Sequence, residues 1–355
     1  MSTDSKHSAS VPNPSPLLDV RDLEVAFATE AGTVRAVDGV SFELAAGEVL
    51  AVVGESGSGK SVTAMTLMGL TRSPNAHFAG SAWFRGTDLV SASGEELRTI
   101  RGAEIAMVFQ DPLTSLNPVM RIGAQVIEQI RAHADLPGAS ARERAIELLE
   151  RVGIPSPRER IDAYPFELSG GMRQRVMIAL ALSCDPSILI ADEPTTALDV
   201  TIQAQILERI RELREQTGAA VILVTHDLGV VAEIADRVAV MYAGRIVEQG
   251  TLDEIFHDPQ HPYTWGLLGS ITRVDRDRPE RLPAIAGMPP SLADRPEGCH
   301  FRPRCPHAFD ACTKVPSLER RGGASAGHVD RCWLDAARKR AVRSVGGQIG
   351  LAPSP

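Results

Sequence analysis

Gly54-Glu55-Ser56-Gly57-Ser58-Gly59-Lys60-Ser61 fits the spacing G-x-x-x-x-G-K-[ST], and its place in the chain decides the fold. EVLAVVG precedes and enters it, an apolar run with the character of a buried strand. KSVTAMTLMGL begins at Lys60 with helical periodicity. Strand, glycine turn and helix in that order make a phosphate cradle. The glycines let backbone N–H groups close round an anion, and the helix N-terminus adds favourable dipole charge. Lys60 is expected to reach the β- and γ-phosphates, and the Ser61 hydroxyl to ligate Mg²⁺. A chance glycine turn is the bland alternative, and the flanking strand and helix weigh against it.

The pattern continues on both sides. Residues 17–53 read as strands, with LEVAF and VSFEL mixing β-branched and aromatic residues. EIAMVFQ is a second strand-like run, ending at Gln110. Residues 111–184 change character: RIGAQVIEQIRAHADL, ARERAIELLERVG and SGGMRQRVMIALALS are helical, broken at Pro137–Gly138 and at Pro155–Pro157. The alternation then resumes with SILIAD, the helical TIQAQILERIRELREQTG, the strand AAVILVTH, a helix to Asp236 and the strand VAVMYAG. Buried apolar strands alternating with helices imply an α/β fold with a mainly parallel sheet, here carrying a helical insert. Beyond about Phe256 Pro, Arg and Gly become frequent and periodicity weakens.

Composition sets outer limits. The chain has 355 residues, 43% apolar and 23% charged, an ordinary globular balance. Its 37 basic and 45 acidic side chains leave a net charge of −8, which argues against a nucleic-acid binder relying on phosphate neutralisation. No apolar run approaches the roughly 18 residues that cross a bilayer. MSTDSKHSASVPNPSP lacks an apolar segment and reads as a disordered tail over residues 1–16 rather than a secretory signal.

Two further stretches carry chemistry. SILIAD-Glu193 ends an apolar strand in two carboxylates, where Asp192 suits an outer Mg²⁺ contact and Glu193 suits polarising an attacking water. Alone, such a pair is more often a solvated strand end. Leu168-Ser169-Gly170-Gly171-Met172 opens a helix, exposing backbone donors to an anion, or serving as a plain N-cap.

Taken together, these residues resemble the ATP-binding subunit of ABC transporters over roughly residues 17–256. GESGSGKS matches Walker A, LSGGMRQR the signature, ILIADE Walker B with its glutamate, Ala197–Asp199 the D-loop, Gln110 the Q-loop and His226 the switch histidine. The resemblance implies an ABC-type P-loop NTPase core with a mainly parallel sheet, an antiparallel β subdomain and a helical subdomain over about 111–184. It implies that two such domains sandwich ATP head to tail. Ser56, Gly57, Ser58, Gly59, Lys60, Ser61 and Val62 would hold one nucleotide, and Ser169, Gly170 and Gly171 would serve the partner's. Phe27 matches the aromatic that stacks on adenine, although as a residue alone it reads as core. Glu193 would be the catalytic base, His226 would hold the γ-phosphate and water in line, and Gln110 would sense Mg²⁺ and relay to a transmembrane subunit. With these residues intact, the expectation is a hydrolysing subunit.

Within that family, FQDPLTSLNPVMRIGAQV, YPFELSGGMRQRVMIALAL and DPQHPYTWGLLGSI resemble the oligopeptide/dipeptide and nickel importer ATPases. Two permease subunits, a second and paralogous ATP-binding subunit and an extracytoplasmic peptide-binding protein are the implied partners, with the chain peripheral at the cytoplasmic face of the membrane. Peptide is the expected cargo, with nickel or another small solute as the alternative. A non-transport ABC ATPase and a metal-dependent regulator are the competing classes. Thr114–Pro118 is a permease-contact candidate or simply a turn. HPYTWGLL has no role in hydrolysis, and reads as a helix docked on the sheet.

The segment 257–343 forms a C-terminal extension, with residues 344–355 as a flexible tail. Four of the five cysteines crowd into it as Cys299-x5-Cys305-x6-Cys312-x19-Cys332. Four soft thiolates suffice for a [4Fe–4S] cluster or a tetrahedral zinc, and the missing tight C-x₂₋₄-C pair counts against zinc. Some ATPases of the resembled family carry an iron–sulfur cluster here, so the cluster is the leading expectation, with zinc and unligated thiols as alternatives. His300, His307 and His328 are nearby and read as solvated loop histidines that could substitute.

Overall fold

The computed structural model describes residues 15–30, 32–111, 115–195, 200–270, 285–320 and 327–345. The D-loop at 197–199, Thr114, most of the 1–16 tail and the end of the chain from 346 lie outside the described residues.

Eleven strands are described: β1 (Leu18–Thr29), β2 (Gly32–Leu44), β3 (Val49–Val53), β4 (Ala76–Phe84), β5 (Thr87–Asp88), β6 (Ile105–Val108), β7 (Ile188–Asp192), β8 (Ala220–Thr225), β9 (Arg237–Tyr242), β10 (Arg245–Thr251) and β11 (Val329–Asp330). They form a four-stranded sheet in the order β2-β1-β4-β5 and a seven-stranded sheet in the order β11-β10-β9-β3-β8-β7-β6. The first is antiparallel. In the second, β9-β3-β8-β7-β6 pair in parallel and β10 and β11 close one edge antiparallel.

Alternation along the parallel strands builds two cores. Val49, Ala51, Val53, Leu189, Ala191, Val221 and Leu223 face one side, where the helices Ile122–His133, Gly138–Arg151, Gly170–Ala181 and Leu228–Ile234 pack. Leu50, Val52, Ile188, Ile190, Ile222 and Val224 face the other, against β1, β2, β4 and the helix Lys60–Leu67. With both faces covered, every residue of β3, β7 and β8 is buried, which explains their unbroken apolar sequence.

Several elements depart from the sequence reading. β4 was not legible because seven of its nine residues are fully or partly exposed and Gly80 sits at φ +80. The helix Gly94–Ile100 has a Ser93/Glu96 capping box, a signal present in the sequence and passed over. The stretch after Phe256 is more ordered than its composition suggests. It carries the helices Pro262–Gly269 and Ala336–Val345, and the latter crosses the expected boundary at 344.

Candidate nucleotide-binding and hydrolysis site

Register assembles the site. Val108 on β6 lies beside Ala191 on β7, and Ala191 beside Leu223 on β8. Two residues further along each parallel strand stand Gln110, Glu193 and Thr225, with His226 next. β3 ends at the same edge, Val53 opposite Thr225, and releases the glycine loop there. Carboxyl ends of parallel strands thus converge on one crevice, as open α/β sheets do around ligands.

The loop requires its glycines. Gly54 has φ +155, and a Cβ on it would lie 2.1 Å from the Met241 carbonyl oxygen. Gly59 has φ +103, with the Ala36 carbonyl oxygen 2.5 Å from such a Cβ. Ser56 and Gly57 are exposed at the loop apex, while Ser58 is buried with a hydroxyl that makes no hydrogen bond. An orphaned buried hydroxyl in a phosphate-type loop fits a site shaped for a ligand.

Lys60 is 4% exposed and turns back on the loop, donating to the carbonyls of Gly54 at 2.8 Å and Glu55 at 3.0 Å. Burial lowers its pKa, opposed by Glu193, Asp192 and Glu55. An anion delivered here would restore the ammonium's charge and replace those carbonyls. Ser61 Oγ donates to Asp192 Oδ1 at 3.0 Å. Burial raises the Asp192 pKa, with Ser61 and Lys60 working against it and Glu193 adding to it. A cation beside Ser61 and Asp192 would reverse that shift.

Glu193 stands at φ +47, a left-handed conformation that costs a non-glycine residue about 1 kcal/mol or more. Its amide donates to the Val224 carbonyl at 2.8 Å, which fixes the turn. Gln110 Nε2 donates to Glu193 Oε2 at 3.0 Å, and His226 Nδ1 lies 3.1 Å from Glu193 Oε1. The carboxylate is thus held from two strands at once, with the His226 side chain open to solvent. Phe27 is half-buried at the margin of the second core, and Val62 packs partly into the same core.

Ser169 caps the helix Gly170–Ala181, accepting from Met172 N at 3.3 Å. Ser169 and Gly170 are exposed and Gly171 half-buried, so the amide-rich end of this helix faces outward. A residue missed in the sequence ties it to the carboxylates: Gln174, inside the same helix, donates to the Pro194 carbonyl at 2.7 Å.

In the extension, Cys299, Cys305, Cys312 and Cys332 line one internal cavity together with His261, Phe301 and His307. Burial raises the thiols of Cys299, of Cys305 to about 11 and of Cys332 to about 12. Among the described residues no group of three or more His, Cys, Asp or Glu is placed to hold a metal ion, so the expected iron–sulfur or zinc site is not shown. The expectation of solvated histidines fails for two of the three. His300 is buried against the Ala243 carbonyl at 3.0 Å, and His328 is buried against Glu248 at 2.8 Å. Their ring nitrogens are engaged on the sheet, leaving His307 at the cavity. His261, unremarked in the sequence, is buried with its pKa lowered to about 3, burial being the main cause.

Comparison with known proteins shows the family. The family model for ABC transporters matches residues 37–196, and that for the oligopeptide/dipeptide transporter C-terminal region matches residues 247–312. The chain is 55% identical over 294 residues to the oligopeptide transport ATP-binding protein OppD of Bacillus subtilis, covering 82% of each chain. It is 52% identical over 324 residues to the dipeptide transport ATP-binding protein DppD of the same organism, covering 91% of this chain and 96% of that one. Among solved structures it is similar to the ATP-binding cassette MJ0796 in a dimeric post-hydrolysis state bound to ADP and Pi, with a TM-score of 0.61 at 27% identity, covering 66% of this chain and 98% of that one. The chain belongs to the ABC transporter ATP-binding proteins, in the group of oligopeptide and dipeptide transport ATPases.

Proposed function

We propose that this chain hydrolyses ATP to power peptide uptake through a membrane permease. The observation that carries the reading is the Glu193 carboxylate held between Gln110 and His226, beside the Ser61–Asp192 contact and Lys60. Residues 56–62 hold the triphosphate and Phe27 stacks on the adenine. Ser61 and Gln110, with Asp192 behind them, offer the hard oxygen donors that suit the Mg²⁺ accompanying ATP. Glu193 takes a proton from the attacking water, and His226 keeps water and γ-phosphate aligned.

Ser169, Gly170 and Gly171 serve the nucleotide of a second ATP-binding subunit, a paralogue of this one. Their outward exposure and the likeness to a dimeric cassette support this. Closure of the pair on ATP moves two permease subunits, because ATP contacts both halves only in the closed state. Val119 and Phe166, 79% and 68% exposed, flank the helices after Gln110 and suit the permease surface, along with residues 114–118. Among the described residues no helix is long and apolar enough to cross a membrane, in keeping with a peripheral subunit at the cytoplasmic face. Peptide cargo follows the names of OppD and DppD, and an extracytoplasmic binding protein delivers it to the permease.

The cassette spans residues 17–256 and the extension 257–343. The latter is not independent, since β11 completes the edge of the cassette's sheet. The four cysteines hold a [4Fe–4S] cluster. Convergence of all four on one cavity is what supports it. When bound, such a cluster would fasten a loop-rich segment; hydrolysis requires no electron transfer.

Glu193→Gln is expected to abolish steady-state ATP turnover while trapping bound ATP; turnover at the wild-type rate would refute the assignment of the base. Iron and acid-labile sulfide assays on anaerobically purified protein test the cluster, and a colourless, zinc-loaded sample would overturn it. Restoration of nickel uptake but not peptide uptake in a strain lacking this chain would reassign the cargo.

A further inference from the structure

Glu55 is held at both ends by the extension. Its amide donates to the Tyr263 phenolic oxygen at 2.9 Å. Its carboxylate receives both arms of Arg304, at 2.5 and 3.0 Å. Arg304 is 5% exposed, and it also donates to the carbonyls of Ile285 at 3.2 Å and Ala286 at 2.9 Å. The Glu55 carbonyl in turn accepts from Lys60 at 3.0 Å, so Arg304, Glu55 and Lys60 form one chain of contacts. A phosphate loop tolerates any residue at the second position of G-x-x-x-x-G-K-[ST], so the demand on Glu55 comes from the extension.

Both gripping residues grow out of the cysteine cavity. Arg304 immediately precedes Cys305, which lines it. Tyr263 follows His261 and Pro262, also in the wall, and its ring lies 5.4 Å from that of Phe301, another wall residue. The Tyr263 amide donates to His261 Nδ1 at 3.1 Å. A two-armed ion pair fixes the geometry of both partners, and this one is only partly exposed, so a displacement of the wall is carried toward the loop.

We propose that Arg304 and Tyr263 are positioning residues that couple the four-cysteine cavity to the phosphate loop, so that nucleotide binding and the state of the cysteines influence each other. The inference rests on the reading of residues 54–61 as an ATP site, but not on the identity of what the cysteines hold. Coupling between two sites is reciprocal, so it is measurable from the cysteine side.

The test uses the full chain, reduced and stripped of metal with a chelator. N-ethylmaleimide labelling of each cysteine is followed by peptide mass spectrometry, with and without MgADP, and binding of a fluorescent ADP is measured on the same sample. Saturating MgADP is expected to change the labelling rates of Cys299, Cys305, Cys312 and Cys332 by about tenfold, within the ordinary range of coupling between sites. Cys184, which lines a separate groove with Ala103 and Ser140, serves as the unresponsive control. In Arg304→Ala the response falls below about twofold while nucleotide still binds, Arg304→Lys recovers part of it, and Glu55→Gln uncouples from the opposite side. Equal responses in the wild type and Arg304→Ala would overturn the proposal, as would nucleotide bound to the wild type without any response. Failure of the wild type to bind nucleotide would instead remove the ATP reading, and the coupling with it.

Discussion

The side-chain amide of Gln174 reaches the Pro194 carbonyl at 2.7 Å inside the protein, joining the helix that presents Ser169 to the turn that presents Glu193. The helix end proposed to meet a second subunit and the proposed hydrolysis site are therefore joined by a direct hydrogen bond. Gln174→Ala is expected to leave that carbonyl buried and unpaired, costing about 1–3 kcal/mol of stability. It should lower ATP turnover in the assembled pair more than nucleotide affinity. Unchanged turnover with normal assembly would show the contact to be packing only.

His226 and Gln110 hold opposite oxygens of Glu193 and should differ in effect. His226→Ala removes the group proposed to align the attacking water, and a fall of about 10²–10⁴ in kcat with KM little altered is expected. Gln110→Ala should lower kcat less and weaken the Mg²⁺ dependence of binding. Steady-state kinetics across a magnesium titration separates the two, and identical profiles would remove the distinction.

Gly54→Ala places a methyl group against the Met241 carbonyl at a φ that L-residues avoid. The loop must shift to admit it. A loss of about 2–3 kcal/mol is expected, with nucleotide binding abolished. Calorimetric melting and fluorescent-nucleotide titration check this; wild-type affinity in the variant would contradict the loop geometry.

Glu248 is fully buried and accepts from the amides of Gln260 and His261 at 2.5 and 2.9 Å as well as from His328. Burial works against charge on His328, but the Glu248 hydrogen bond and charge outweigh it and raise its pKa. A His pKa raised on folding stabilises the native state fully below the unfolded value near ~6.5, and that stabilisation is lost as pH rises through the folded value. Melting temperature should therefore fall as pH rises above about 6.5 in the wild type, and fall less in His328→Gln, which starts lower. Parallel profiles for the two proteins would exclude His328 as the source. Removing the partner by Glu248→Ala is expected to cost about 3–5 kcal/mol, since it leaves the Gln260 and His261 amides and the His328 ring buried without their acceptor.

How much of this was legible follows from where the information sits. The phosphate loop, the Asp192-Glu193 pair and the Ser169 helix start were readable because each is set by contiguous residues: a strand, a turn that only glycine allows, a cap. β4 was not, because its early residues are at most half-buried and its alternation is interrupted at Gly80. His300 and His328 were misjudged because their loop-like surroundings in sequence say nothing of the sheet that covers them. The cysteine spacing announced four thiols, and only folding shows that all four meet at one cavity, since Cys332 arrives after β11 has paired with β10.

The amino-acid sequence alone determined the nucleotide chemistry and the α/β framework, because glycine conformations, apolar periodicity and short motifs are local properties of the backbone. The tertiary structure alone decided that Glu193 is gripped by Gln110 and His226, that Gln174 joins the outward helix to the carboxylates, and that Arg304 locks the extension onto Glu55, 249 positions away. Such pairings depend on strand register and on the burial of charge, and those exist only once distant segments have been brought together and shut away from water.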